Sequence, residues 1–116
     1  MVEPNRAKTL FVSVQNRKPS IAEGKVSIMG RLDCKEPSWT AFHSLTKTTN
    51  FFMHLEDDYA EKKQKFINDI GITTSHSGGA GIIALIYATE NQLFEINKNS
   101  SPLVFLTEGI IQKDLV

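Results

Sequence analysis

The stretch Ser75-His76-Ser77-Gly78-Gly79-Ala80-Gly81 is the part of the sequence whose residue types best suit chemistry. Glycines let backbone N–H groups converge on an anion, and neighbouring hydroxyls add donors. The ligand expected at Ser75, His76, Ser77, Gly78, Gly79 and Gly81 is therefore an anion such as a phosphate, nucleotide or carboxylate. The stretch has neither the lysine of a Walker loop nor the spacing of a dinucleotide fingerprint. The plainer structural reading is a flexible connection between strands.

A second constellation is His43, His54 and Asp58. On one continuous helix, steps of eleven and four would place all three on one face. His54 and Asp58 would then be neighbours. His43 would stand about 16 Å further along the axis, too far to share a first shell. His76 would have to approach from its loop to complete a site. The plainer reading is a surface ion pair between His54 and Asp58. Cys34 is the lone cysteine, so an internal disulfide and a cysteine-rich zinc site are excluded. It has Lys35 beside it but no identifiable base, and it reads as an incidental thiol. No cofactor motif and no metal site are expected.

Composition narrows the classes further. The 116 residues carry 13 basic and 13 acidic side chains, with 41% apolar and 22% charged residues. Those proportions belong to an ordinary globular domain. A formal net charge of zero gives no pull toward nucleic acid or an anionic membrane. Most of Phe11, Trp39, Phe51 and Tyr59 are needed for a core rather than for stacking bases, and nucleic acid is not an expected partner. Residues 1–6 lack the apolar stretch of a secretory leader, and no apolar run reaches membrane-spanning length. The expected setting is cytoplasmic, away from the membrane.

The elements that must position these residues follow from periodicity. Residues 1–7 read as a loose arm. The β-branched and aromatic run 9–15 and the alternating run 25–32 suggest an antiparallel hairpin. Pro37, Trp39, Phe42 and Leu45 suggest a helix over about 38–46. The strongest signal is 50–71: Asn50 as N-cap, Phe52, Leu55, Tyr59, Phe66 and Ile70 as an apolar stripe, and Gly71 as left-handed cap. About 20 residues make a rod of roughly 30 Å. Residues 72–76 suggest a short strand. Ile82 to Ala88 and Leu93 to Ile96 suggest a hairpin, with a helix after the glycine-rich loop as the alternative. Residues 103–106 are the last strand, and Thr107 and Glu108 could open a short C-terminal helix.

The expected architecture is a single α+β domain, 1–116, in two layers. A curved antiparallel sheet of about five to six strands, order β-β-α-α-β-β-β-β, carries one long helix across a face. The expected function is a non-enzymatic binding or interaction protein that associates with itself, most simply as a homodimer. Phe51 and Met53, off the main stripe of the long helix, are its candidate interface. The alternative is a binder of small anionic ligands, or a small hydrolase-like enzyme. Its pocket would lie between helix and sheet near 75–81, with His43 or His54 as acid–base group.

Overall fold

The computed structural model describes residues 1–110 and contains four α-helices and one two-stranded sheet. Strand β1 is Val2–Pro4, helix α1 Thr9–Asn16, helix α2 Trp39–Thr48, strand β2 Met53–Leu55, helix α3 Asp57–Asp69 and helix α4 His76–Glu90. Short 3-10 turns cover Asn5–Ala7 and Gly30–Leu32. β1 and β2 run parallel, with Val2 opposite Met53, Glu3 opposite His54 and Pro4 opposite Leu55. The expected antiparallel sheet of five to six strands is therefore wrong. The protein is built mainly of helices around a short parallel ribbon. Among the described residues, no helix is long and apolar enough to cross a membrane.

Each misread segment has a tertiary cause. Residues 1–7 are no loose arm: they hold β1, and Pro4 and Ala7 are buried. The β-forming run after them is helix α1. Its first N–H groups, on Leu10 and Phe11, donate to the Glu3 carboxylate at 2.9 Å each, and Thr9 Oγ1 adds a third bond at 3.2 Å. A carboxylate at a helix N-terminus satisfies orphan donors and opposes the helix dipole. That cap comes from another element, so a local reading of 9–15 could not include it. Residues 25–32 form no strand, although Met29 is wholly buried.

The supposed 50–71 rod is two elements. Met53–Leu55 leaves helical geometry to pair with β1, and α3 is only 13 residues long. Asn50 therefore caps nothing. α3 buries Asp57, Ala60, Gln64 and Ile67, while Phe66 and Ile70 face outward. The small Ala60 lets α3 approach α4 closely, and the larger apolar residues are left on a neighbouring face. Its C-terminal end is as expected. Gly71 takes a φ of +92°, its N–H reaches Asn68 O at 2.9 Å, and Ile72 N–H reaches Ile67 O at 2.9 Å. That pair of bonds is a Schellman cap.

The run 82–96 is not a hairpin, and 72–76 is not a strand. α4 begins inside the glycine-rich stretch and continues through Glu90. Its apolar residues lie on every side, a pattern that gives buried helix and buried strand the same signature. Small residues settle the matter: Gly78, Gly79, Ala80, Ala84 and Ala88 are buried, which allows a helix to sit against its neighbours. The core joins Met29, Leu55, Ala60, Ile67, Ala80, Ile83 and Ala84. Gln92, Phe94 and Glu95 all have positive φ, so 93–96 is no strand either. Helix α2 forms as read, with Ser38 Oγ accepting from Ala41 N–H at 3.2 Å. It buries no residue, however, and Trp39 is exposed rather than part of the core. Residues 103–106 run unpaired, and 107–110 form no helix. The rest of the suggested C-terminal helix lies outside the described residues.

The long segment between α1 and α2 is tied down by one buried carboxylate. Asp57, in the first turn of α3, accepts from Ser27 Oγ at 2.6 Å and Ile28 N–H at 3.1 Å, and pairs with Arg6 at 3.0 Å. This clasp holds Met29 in the core and places Arg31 beside the start of α4.

Candidate functional site

The residues singled out in 75–81 form the N-terminus of α4. Ser75 is the N-cap, and its Oγ accepts from Gly78 N–H at 2.9 Å. Gly79 N–H donates to Ser75 O at 2.8 Å. The stretch is thus the cap and first turns of a helix, not a flexible connection. Its glycines are there for close approach. A Cβ on Gly78 would collide with Thr74 Oγ1 and stand 2.9 Å from Glu108 O. A Cβ on Gly79 would stand 2.6 Å from Gln64 Oε1.

Four residues that sequence reasoning missed complete the cluster. Glu108 reaches in from the C-terminal segment. Its carboxylate accepts from Ser75 Oγ and pairs with Arg31 Nε at 2.9 Å. Its carbonyl accepts from Thr74 Oγ1 at 2.6 Å. Arg31 also donates its backbone N–H to Ser77 Oγ at 3.1 Å. Buried Gln64 donates through Nε2 to Thr74 O at 2.7 Å, and its Oε1 has no partner among the described residues. Glu108 and Arg31 lie more than thirty residues from their partners along the chain and leave no local signal, so only folding brings them to the loop.

These contacts seat the chain's own Glu108 carboxylate at the start of α4. The positive end of α4, the Ser75 hydroxyl and the Arg31 guanidinium converge on Glu108. An open cleft of about 600 Å³ adjoins it, lined by His76, Thr74, Gln64, Asn68 and the polar face of α3. His76 is half-buried there and is the one histidine of the three near the site.

The other predicted residues lie elsewhere. His43 is exposed on α2, between Trp39 and Phe42, with ring centroids 6.1 and 5.9 Å away. His54 stands on β2 with the Phe11 ring edge-on at 4.9 Å. Its Nδ1 is buried and has no partner among the described residues. Burial first, and then the nearby Lys8 charge, hold its pKa below the ordinary value, against the pull of Glu56 and Glu3. His54 and Asp58 sit on different elements and make no ion pair among the described residues. Nor does any group of three or more His, Cys, Asp or Glu among those residues have the arrangement to hold a metal. Cys34 is exposed.

Phe51 and Met53 precede α3 rather than riding on a long helix. Phe51 is exposed and stacks on Phe94 with centroids 4.4 Å apart. Met53 is half-buried in β2. Both line an apolar groove of about 450 Å³, with Leu85, Phe94, Ile96 and Val104. A second apolar groove, of about 380 Å³, runs between Phe66 and the capping Ile70 at the end of α3 and Ile82, Leu85 and Ile86 of α4.

No family model and no curated protein matches the chain. Among solved structures, the fold is similar to that of a threonine deaminase from T.th., with a TM-score of 0.70 at 13% sequence identity. The match covers 87% of this chain but 37% of that one, so the chain corresponds to little more than a third of the longer protein. At this identity the likeness is one of fold alone.

Proposed function

We propose that the chain is a binding protein that associates with itself, most simply as a two-fold dimer, and has no catalysis of its own. The observation that carries this reading is the apolar groove around Phe51, Met53 and Phe94, beside a second groove across α3 and α4. Contiguous apolar surface of this kind marks contact sites in small domains. Two-fold closure is the commonest way for a chain to cover such a surface with its own copy. Sedimentation velocity over a wide concentration range tests it. The expected result is a concentration-dependent dimer, weakened at least tenfold by Phe51→Ser. A single monomeric species at every concentration overturns the reading.

A second reading has its own support. The α4 N-terminus, Ser75, Ser77 and Arg31 suit a small anion, with His76 in the adjoining cleft as the acid–base candidate. His43 and His54 lose that role, because their neighbours lie elsewhere. The threonine deaminase acts, by its name, on an amino acid, and an amino-acid carboxylate belongs to the ligand class such a site takes. The incoming anion would replace the Glu108 carboxylate. Thermal shift with threonine and with inorganic phosphate tests this in the wild-type chain and in Glu108→Gln. Stabilisation that rises with ligand and is stronger in the variant supports it. No shift in either protein ends it.

A further inference from the structure

We propose that residues 102–107 form a docking strand, and that its occupant is the same segment of a second copy, running antiparallel across a two-fold axis. This inference rests on the self-association reading and names where the contact is made.

The segment is built like a strand but has no ladder. Leu103, Val104, Phe105, Leu106 and Thr107 are β-forming or apolar residues, and the chain passes through them without a turn or bend. Among the described residues, no main-chain group of 101–107 makes a hydrogen bond. The first bond beyond is the one from Thr74 Oγ1 to the Glu108 carbonyl, at 2.6 Å. A row of unpaired N–H and C=O groups is a template for another strand.

The segment is also held in place. Val104 turns inward, so close to α4 that a Cβ on Gly81 would lie 3.2 Å from its Cγ1. Glu108 is tied to Thr74, Ser75 and Arg31. Between these anchors, Leu103 is 79% and Phe105 74% exposed, and Leu106 is exposed as well. Over Leu103, Val104 and Phe105 the side chains alternate outward, inward and outward, as in a strand with one face covered, and beyond them Leu106 and Thr107 are both exposed. A fixed, exposed run of this kind binds without a large ordering cost. Monomeric proteins blunt such edges with lysine, another charge, proline or a bulge; here Pro102 stands at the first position of the segment and leaves 103–107 free to pair. Residues 100–107 carry no charged side chain.

The same neutrality favours a second copy over a charged partner. A charged partner strand would meet no complementary charge, whereas a copy of this segment meets no repulsion. Two identical strands paired antiparallel share their hydrogen bonds symmetrically, so one residue set serves both sides. Leu103 and Phe105 of each copy then form cross-strand apolar pairs. Val104 also lines the groove of Phe51 and Met53, so strand and groove make one continuous surface.

The test combines Phe105→Pro with amide hydrogen exchange on the full wild-type chain. Proline removes an N–H from the centre of the proposed ladder but breaks no main-chain bond of the monomer. The expected results are dimerisation weakened at least tenfold in Phe105→Pro, and wild-type amides at 103–107 that exchange slowly only at concentrations where the dimer is populated. A wild-type dimer whose 103–107 amides exchange equally fast at all concentrations overturns the docking strand and leaves self-association standing. A wild-type chain that is monomeric throughout removes both. The exchange arm needs no variant, so misfolding of Phe105→Pro leaves the inference decidable.

Discussion

Replacing Gly78 by alanine separates a tight helix start from a merely flexible one. In an ordinary helical position, Gly→Ala stabilises by about 0.5–1 kcal/mol. At Gly78 the new methyl would collide with Thr74 Oγ1 and stand 2.8 Å from Glu108 Cγ and 2.9 Å from the Glu108 carbonyl oxygen. The two side chains can rotate away, but the carbonyl is backbone and moves only with its segment. Overpacking of this kind costs about 1–3 kcal/mol, and the Thr74–Glu108 bond it displaces contributes about 1 kcal/mol more. The net expectation for Gly78→Ala is a loss of about 1–3.5 kcal/mol after the helical gain is subtracted. Gly81→Ala is the internal comparison, since its methyl would meet a Val104 side-chain atom at 3.2 Å. That contact relaxes easily, so the variant should be neutral or more stable by up to about 0.5 kcal/mol. Urea denaturation reads both as midpoint shifts at unchanged slope. If Gly78→Ala were as stable as the wild type, the Glu108 backbone would not be packed on the start of α4.

Glu3→Ala removes the acceptor for the first N–H groups of α1 and should cost about 1–2 kcal/mol, with the loss of helix read by circular dichroism. Asp57→Ala strands Ser27, Ile28 and Arg6 around a buried gap, and about 3 kcal/mol of stability should go with it in the same urea assay. His54 has a folded pKa below its ordinary 6.5, chiefly through burial and then Lys8. Its share of stability is therefore complete above that unfolded value and is lost as pH falls through the lower folded one. His54→Phe should flatten the denaturation midpoint against pH below about 6.5, and an unchanged profile would show that His54 stays solvated. Ser75→Ala loses the cap of α4 and should cost about 1 kcal/mol, visible as a lower thermal midpoint.

What the residues settled on their own were features closed within a few positions. Ser38 as the cap of α2 and Gly71 as the left-handed end of α3 are satisfied by their immediate neighbours, so their chemistry is legible in a short window. The concentration of hydroxyl, imidazole and glycine in 75–81 was likewise visible, because composition needs no partner. Folding decided the rest, through contacts between distant segments. Met53–Leu55 became a strand because Val2–Pro4 lies beside it, and Thr9–Asn16 became a helix because Glu3 supplies its cap. The apolar run in α4 satisfied both periods equally, and packing on Ala60 and Ile67 chose the helix. Arg31 and Glu108 reached Ser75 and Ser77 only through the folded chain. Local propensity is worth tenths of a kcal/mol per residue. A remote cap or a buried face is worth several times that, and so the tertiary contacts won.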